Sequence, residues 1–204
     1  MLSKSHALNE ELCRAGRRFD ARGWVLGTSG NFSAVIDREP LRLAITPSAA
    51  FKGELTPDVM LEIDERAEPV GESGGRRPSA EALLHVEIVR ARGAGAVLHT
   101  HSIWSTLLSE RYAGDGGLTI EGFEMLKGLE GVRTHEHREW LPIVDNDQDI
   151  PRLAKVARHE LDRHAGAHGF LIRRHGLYTW GADLRQAVRH VEILEFLLES
   201  VGRG

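Results

Sequence analysis

The sequence predicts a mixed α/β fold in which helices alternate with clustered antiparallel strands. Three observations carry this reading. Apolar residues at helical spacing open the chain. A run of short β-prone pieces, punctuated by Gly and Pro, extends from Trp24 to Asp64. From Ser79 onward, helical and strand-like patterns take turns up to the C-terminus.

In chain order, Leu8, Leu12, Ala15 and Phe19 share one helical face, and Gly23 ends that first helix. The pieces "NFSAVID", "LRLAITP" and "MLEID" predict antiparallel strands. "RAEPVGESGGRRP" is the most linker-like stretch, but it is short and reads as a loop within one domain. "SAEALLHVEIVRAR" predicts a helix with Ser79 as N-cap and Leu83, Val86 and Val89 on one face. "AGAVLHTHS" follows as a strand and "IWSTLLSERY" as a helix. A strand near "REWLPIVD" precedes a helix around Pro151–His164, where Pro151 suits the first turn. "GFLIRRHGLYTWG" predicts a hairpin. The last helix begins near Asp183 and places Ala187, Val191, Leu194 and Leu198 on one stripe. No internal repeat interrupts this order, so residues 1–204 are expected to form one domain.

Bulk composition excludes several function classes. Apolar residues make up 41% and charged residues 27%, the balance of a soluble globular protein. A formal net charge of -4 argues against general attraction to nucleic acid or anionic membrane, so any phosphate must be held by a local site. The single cysteine, Cys13, rules out an internal disulfide and suits a reducing cytosol. The N-terminal stretch lacks the apolar core of a signal peptide, and no window approaches the ~20 apolar residues that span a bilayer. A cytoplasmic location is expected.

The chemistry concentrates at "AVLHTHS". Side chains two apart on a strand share a face, so His99 and His101 can converge on one ion while Thr100 faces away and is structural. Other contexts of this motif fail: no carboxylate follows within a few residues, no Asp-His pair continues it, and HExxH is absent. Catalytic zinc commonly has three protein ligands and one open position, so a third ligand is needed. His175 is the best candidate, because it ends another apolar strand and precedes Gly176. His135, His137, His159, His164, His168 and His190 compete. Of these, the i,i+2 pair His135 and His137 in "RTHEHREW" is the serious rival, and the histidines on predicted helices read as solvated.

Other motifs suggest anion binding and acid/base work. "GTSGNFS" can turn backbone N–H groups and hydroxyls toward an anion, although Gly-Asn also serves as a plain hairpin turn. "ITPSAAFKGEL" offers Thr46, Ser48 and Lys52, and Ser79 opens a helix. Glu81, in the first turn of that helix, reads most simply as a stabilising carboxylate. Glu124 sits among Phe123, Met125 and Leu126, and composition does not separate it from Glu121 or Glu130.

"GTSGNFS", "ITPS", "PSAE", "GAVLHTHS" and "RRHGLYTWG" occur in the order seen in the class II aldolase family, and the resemblance runs from about Gly23 to Leu198. "FEMLKG", "REWLPIVDN" and "IRRHGLYTWG" are most similar to its branch that dehydrates 5-methylthioribulose 1-phosphate in methionine salvage. The resemblance implies a three-layer α/β/α fold with a central, mainly antiparallel sheet and one zinc ion per chain. It also implies a homotetramer with active sites near subunit interfaces. By position it assigns the metal to His99, His101 and His175, the acid/base to Glu124, and phosphate contacts to Asn31, Ser48 and Ser79 beside Lys52. Aldolase relatives carry their catalytic Glu at the place of Glu81, which is read here as substrate- or metal-proximal. They also have Gly where Ala49 stands and Ser where Ala80 stands. Aldolases and epimerases of the family often use a tyrosine near the C-terminus. This tail has none, since the only tyrosines are Tyr112 and Tyr178. An adducin-like binding module is the non-enzymatic alternative.

Overall fold

The computed structural model describes residues 4–204. One eight-stranded sheet organises the chain, in the order β3-β2-β1-β4-β8-β7-β6-β5. The strands are β1 (Asn31–Arg38), β2 (Leu41–Ile45), β3 (Leu61–Asp64), β4 (Ala96–Thr100), β5 (Gly117–Ile120), β6 (Glu139–Val144), β7 (Gly169–Ile172) and β8 (Gly176–Gly181). The helices are α1 (Lys4–Asp20), α2 (Ala82–Arg92), α3 (Ile103–Arg111), α4 (Ile150–Arg163) and α5 (Leu184–Arg203). All neighbouring strands run antiparallel except β6 and β7. Those two are joined through α4, the crossover that a parallel pair requires.

Alternation along the strands builds two packed faces. Leu43, Ile45, Ile63, Val97, Phe170 and Ile172 meet α2 and α4 on one side. Phe32, Ala34, Ala96 and Leu98 meet α1 and the start of α5 on the other. Leu171 and Leu177 extend that second face toward α3 and the rest of α5. The result is the three-layer α/β/α arrangement with a mainly antiparallel central sheet that the family resemblance implies.

The capping chemistry sets where helices begin. Ser102 Oγ accepts the Ser105 N–H at the start of α3, Asp149 caps α4 through the Arg152 N–H, and Asp183 caps α5 through the Gln186 N–H. Pro151 lies in the first turn of α4 as expected. α2 departs from expectation. It starts at Ala82, not beside Ser79, and Glu81 stands at its N-cap with no side-chain capping bond. Ser79 Oγ instead accepts the Glu81 N–H at 3.2 Å, which makes a turn ahead of the helix. α2 is also buried on more than one face, with Leu84, His85 and Ile88 inside besides Val86 and Val89. β5 and the 3-10 segment Glu124–Gly128 have no counterpart in the sequence reading, because each is too short to establish a period.

Candidate metal centre

β4 is central in the sheet and its five residues are all buried. The register sets His99 opposite Asn31 on β1 and opposite Tyr178 on β8. His99 and Tyr178 rings stack at 3.9 Å between centroids. Thr100 points to the other face, where its hydroxyl donates to Glu195 Oε1 at 2.6 Å. His101 lies just beyond the strand, with its N–H donated to the Trp24 carbonyl at 2.7 Å. His175 sits in the tight β7–β8 turn, and the Thr106 hydroxyl holds its carbonyl at 3.1 Å. Gly176 follows because a Cβ there would collide with the Thr100 carbonyl and crowd the His99 ring.

These placements bring three ring nitrogens together. His101 Nε2 is 2.8 Å from His99 Nε2 and 3.1 Å from His175 Nε2, and His99 Nε2 is 3.3 Å from His175 Nε2. Zinc–nitrogen bonds of ~2.0–2.1 Å in a tetrahedron separate ligand atoms by about 3.3 Å. His99 Nδ1–H donates to the Leu177 carbonyl at 2.9 Å, which leaves Nε2 as a free lone pair. Burial, reinforced by the neighbouring histidines, holds the His99 pKa well below its ordinary value. His101 is lowered to about 4 by burial, with His175 and Lys52 adding to it. Imidazole nitrogens converging on one point are what a divalent cation needs, so the donor set fits the metal that the sequence implies.

Glu81 completes the group. Its Oε2 lies 3.5 Å from His99 Nε2 and its Oε1 3.4 Å from His175 Nε2. Asn31 orients this carboxylate, donating from Nδ2 to Glu81 Oε2 at 2.8 Å and to Ser79 Oγ at 3.1 Å. The Asn31 oxygen is paired with His85 Nε2, and His85 Nδ1 with the Ser33 hydroxyl at 2.7 Å. His85 is neutral, with its pKa lowered to about 3 by complete burial. Its Nε2 therefore carries the proton given to Asn31, and Nδ1 accepts from Ser33. A buried line thus runs from Ser33 through His85 and Asn31 to the carboxylate beside the histidines. His85 and Ser33 were missed by the sequence reading, although His85 lies four residues beyond Glu81, one turn along α2.

The family profile of the class II aldolase and adducin N-terminal domain matches residues 10–201. The chain belongs to the class II aldolase family. It is 47% identical over 190 residues to methylthioribulose-1-phosphate dehydratase of Methylococcus capsulatus, covering 93% of this chain and 90% of that protein. It is 44% identical over 193 residues to the protein of the same name from Pseudomonas aeruginosa, covering 94% and 92%. Among solved structures, YgbL of Escherichia coli superposes with a TM-score of 0.79 at 26% identity, over 98% of this chain and 90% of that one. L-fuculose-1-phosphate aldolase of Thermus thermophilus superposes with a TM-score of 0.74 at 23% identity, over 97% and 94%, a likeness of fold.

Within this class II aldolase fold, Asn31 and Ser79 lie beside Glu81, and the four residues assigned to phosphate are engaged to different degrees. Asn31 is 4% exposed, and both hydrogens of its amide face protein acceptors. Ser48 is exposed and its N–H is donated to the Arg77 carbonyl at 2.8 Å, which brings the Ser48 and Ser79 segments side by side. Lys52 is buried, and its Nζ donates to the Thr28 carbonyl at 2.9 Å and the Ala50 carbonyl at 2.7 Å. It ties the "GTSGNFS" and "ITPSAA" loops together, and burial lowers its pKa to about 8. The Thr46 hydroxyl accepts the Phe32 N–H at 3.1 Å, a structural bond. Ala49, where aldolase relatives have Gly, retains a left-handed backbone with φ 57°.

The remaining residues fall elsewhere. Glu124 opens its 3-10 segment on the surface, 71% exposed, ion-paired with Lys127 and 3.9 Å from His135 Nδ1. Its ion pairs involve none of the three histidines. Glu121 pairs with Arg138, and Glu130 with Arg189 and Gln186. The rival pair separates, because His135 turns to Glu124 while His137 turns to Glu139. His159 is exposed as a helical histidine should be. His190 corrects that expectation: it is buried, with Nδ1 donating to the Trp180 carbonyl at 2.7 Å. No helix of the described residues is long and apolar enough to cross a membrane.

Proposed function

We propose that this chain is a zinc-dependent hydro-lyase, a single-domain cytoplasmic enzyme that converts 5-methylthioribulose 1-phosphate to 2,3-diketo-5-methylthiopentyl 1-phosphate. The observation that carries this reading is the convergence of three imidazole nitrogens beside a carboxylate. It is found in a chain 44–47% identical to methylthioribulose-1-phosphate dehydratases over more than nine-tenths of its length.

His99, His101 and His175 would hold the zinc ion, which when bound supplies Lewis acidity toward the ketose oxygens and acidifies the proton on C3. Glu124 removes that C3 proton as general base. It then acts as general acid at the C4 oxygen, so that the C4 hydroxyl leaves as water. The enol left behind tautomerises to the diketone. Glu81, fixed by Asn31, holds its carboxylate on the open side of the histidines and orients the substrate hydroxyls there. The Ser48 and Ser79 segments and the Lys52-tied loops frame the phosphate. Exposure of Glu124 in a single chain suits a homotetramer with active sites near subunit interfaces.

The test is a coupled dehydration assay with methylthioribulose 1-phosphate, run beside fuculose and ribulose phosphates. A positioned acid/base contributes ~10²–10⁴-fold, so Glu124→Gln should lose turnover in that range while retaining its metal. Full activity of that variant would remove Glu124 from the mechanism. The contact of Glu81 with the histidines favours a second reading, aldol cleavage or epimerisation of a sugar phosphate. Turnover of fuculose or ribulose phosphate that Glu81→Gln abolishes, without dehydration, would select it. A protein that holds no divalent metal would point to an adducin-like binding role.

A further inference from the structure

A second group of ligand-type side chains lies where β6 and β7 begin and shares no residue with the three-histidine centre. Glu139, the first residue of β6, is 1% exposed. Its Oε2 lies 2.9 Å from His137 Nε2 and 2.9 Å from His168 Nδ1. Its Oε1 accepts the His168 backbone N–H at 2.8 Å. His168 Nε2, on the far side of the ring, donates to the Glu130 carbonyl at 2.8 Å. That bond uses the ring proton of a neutral imidazole and leaves the Nδ1 lone pair aimed at a carboxylate oxygen. Two lone pairs facing each other at that distance repel unless positive charge lies between them, either a second ring proton or a cation.

Against burial, Glu139 holds the His168 pKa above its ordinary value, so a proton can fill that place while His137 donates its Nε2–H to the same oxygen. A cation competes with that proton for the same lone pairs. Two histidine nitrogens and one carboxylate oxygen, all within 4.8 Å of one another, form a two-histidine, one-carboxylate donor set. Such sets bind zinc-like cations with a fourth position open to water. A carbonyl that fixes the far nitrogen of a ligand histidine is the usual outer partner of such sites. A surface cavity of ≈ 530 Å³, lined by His137, His168, Gln186 and His190, gives the cation an approach.

We propose that His137, Glu139 and His168 form a second divalent-cation site, of the zinc class. The ion links the start of β6 to the entry of β7. Through His168 and the Glu130 carbonyl it also steadies the segment that follows Glu124–Gly128. The inference stands independently of the reaction assigned above.

The test is metal analysis of the full chain, stripped with a chelator, equilibrated with Zn²⁺ or Co²⁺ and freed of excess. Wild type should hold two cations per chain, and His137→Ala and His101→Ala one each. His137 is partly exposed, so its variant should keep the wild-type circular dichroism and the three-histidine ion, which shows that it folds. Loss of a ligand should weaken the second ion by more than the ~10–100-fold that loss of an outer partner costs. A His101→Ala variant that holds no cation, or a His137→Ala variant that holds as many as the wild type, overturns the proposal.

Discussion

Asn31→Ala separates two roles for one residue. The family resemblance assigns Asn31 to the substrate phosphate, whereas in the structure its amide donates to Glu81 and Ser79 and its oxygen pairs with His85. Truncation removes a charge-assisted bond of 2.8 Å to Glu81. Such bonds are worth ~1.5–3 kcal/mol. If the oriented carboxylate is needed in the transition state, that corresponds to roughly a 10- to 150-fold loss of kcat, at about 1.4 kcal/mol per factor of ten. Truncation also orphans the His85 N–H inside the protein, at ~1–3 kcal/mol. For a chain of this size each kcal/mol lowers Tm by ~2–4 °C, so a fall of ~2–12 °C is expected. Steady-state kinetics and thermal unfolding read both quantities. A rise in KM of tenfold or more at unchanged kcat, with Tm held, would mean that Asn31 supplies uniform substrate binding and that the carboxylate does not depend on it.

Glu195 is buried behind Thr100, and burial raises its pKa to about 7 against the opposing bonds from Ser102 and Thr100. The unfolded chain releases this proton near the ordinary value of 4.5 and the folded chain near 7. The folded state therefore binds more protons in between, and stability should fall as pH rises from about 4.5 to 7, then level off. Glu195→Gln should flatten that part of the profile in urea unfolding, and an unchanged slope would refute the assignment. Gly30 has φ 72°, and a Cβ there would lie 2.6 Å from the His99 carbonyl oxygen and 2.8 Å from Val25 Cγ1. The left-handed backbone alone costs a non-Gly residue ~1–2 kcal/mol, so Gly30→Ala should lose at least about 2 kcal/mol and hold metal less tightly. A variant within about 2 °C of the wild-type Tm would be inconsistent with that packing.

Most of the architecture is legible from pattern. The α5 stripe, the β7–β8 hairpin and the strand that carries His99 and ends just before His101 all follow from period and punctuation, and each is found where it was expected. What stays hidden is set by contacts between distant segments. Nothing near Ser79 in the sequence shows that its hydroxyl stops a turn short of α2, so that Glu81 swings to the histidines instead of idling as a first-turn carboxylate. The partition of "RTHEHREW" is equally non-local, because His137 is drawn away from His135 by Glu139 and by His168, which arrives from β7. His190 reads as a solvated helical residue because its neighbours are charged, yet the Trp180 carbonyl claims its ring.

The centre depends on strand register as much as on its ligands. Asn31, His99 and Tyr178 lie side by side on β1, β4 and β8, so a single pairing pattern delivers the Glu81 holder, a metal ligand and the ring stacked on it. A slip of one residue in β4 would turn both histidines toward α5 and drive Thr100 into the site. Apolar alternation alone guards weakly against this, because Ala96, Val97 and Leu98 are buried on both faces and resemble one another. The bond from Thr100 to Glu195 resolves the ambiguity. The Thr100 hydroxyl can reach that buried carboxyl only if it points to α5, and the histidines then have to face α2. The residue between the two ligands therefore specifies their direction, and a costly buried acid on α5 gives the strand one orientation in which its polar groups are met.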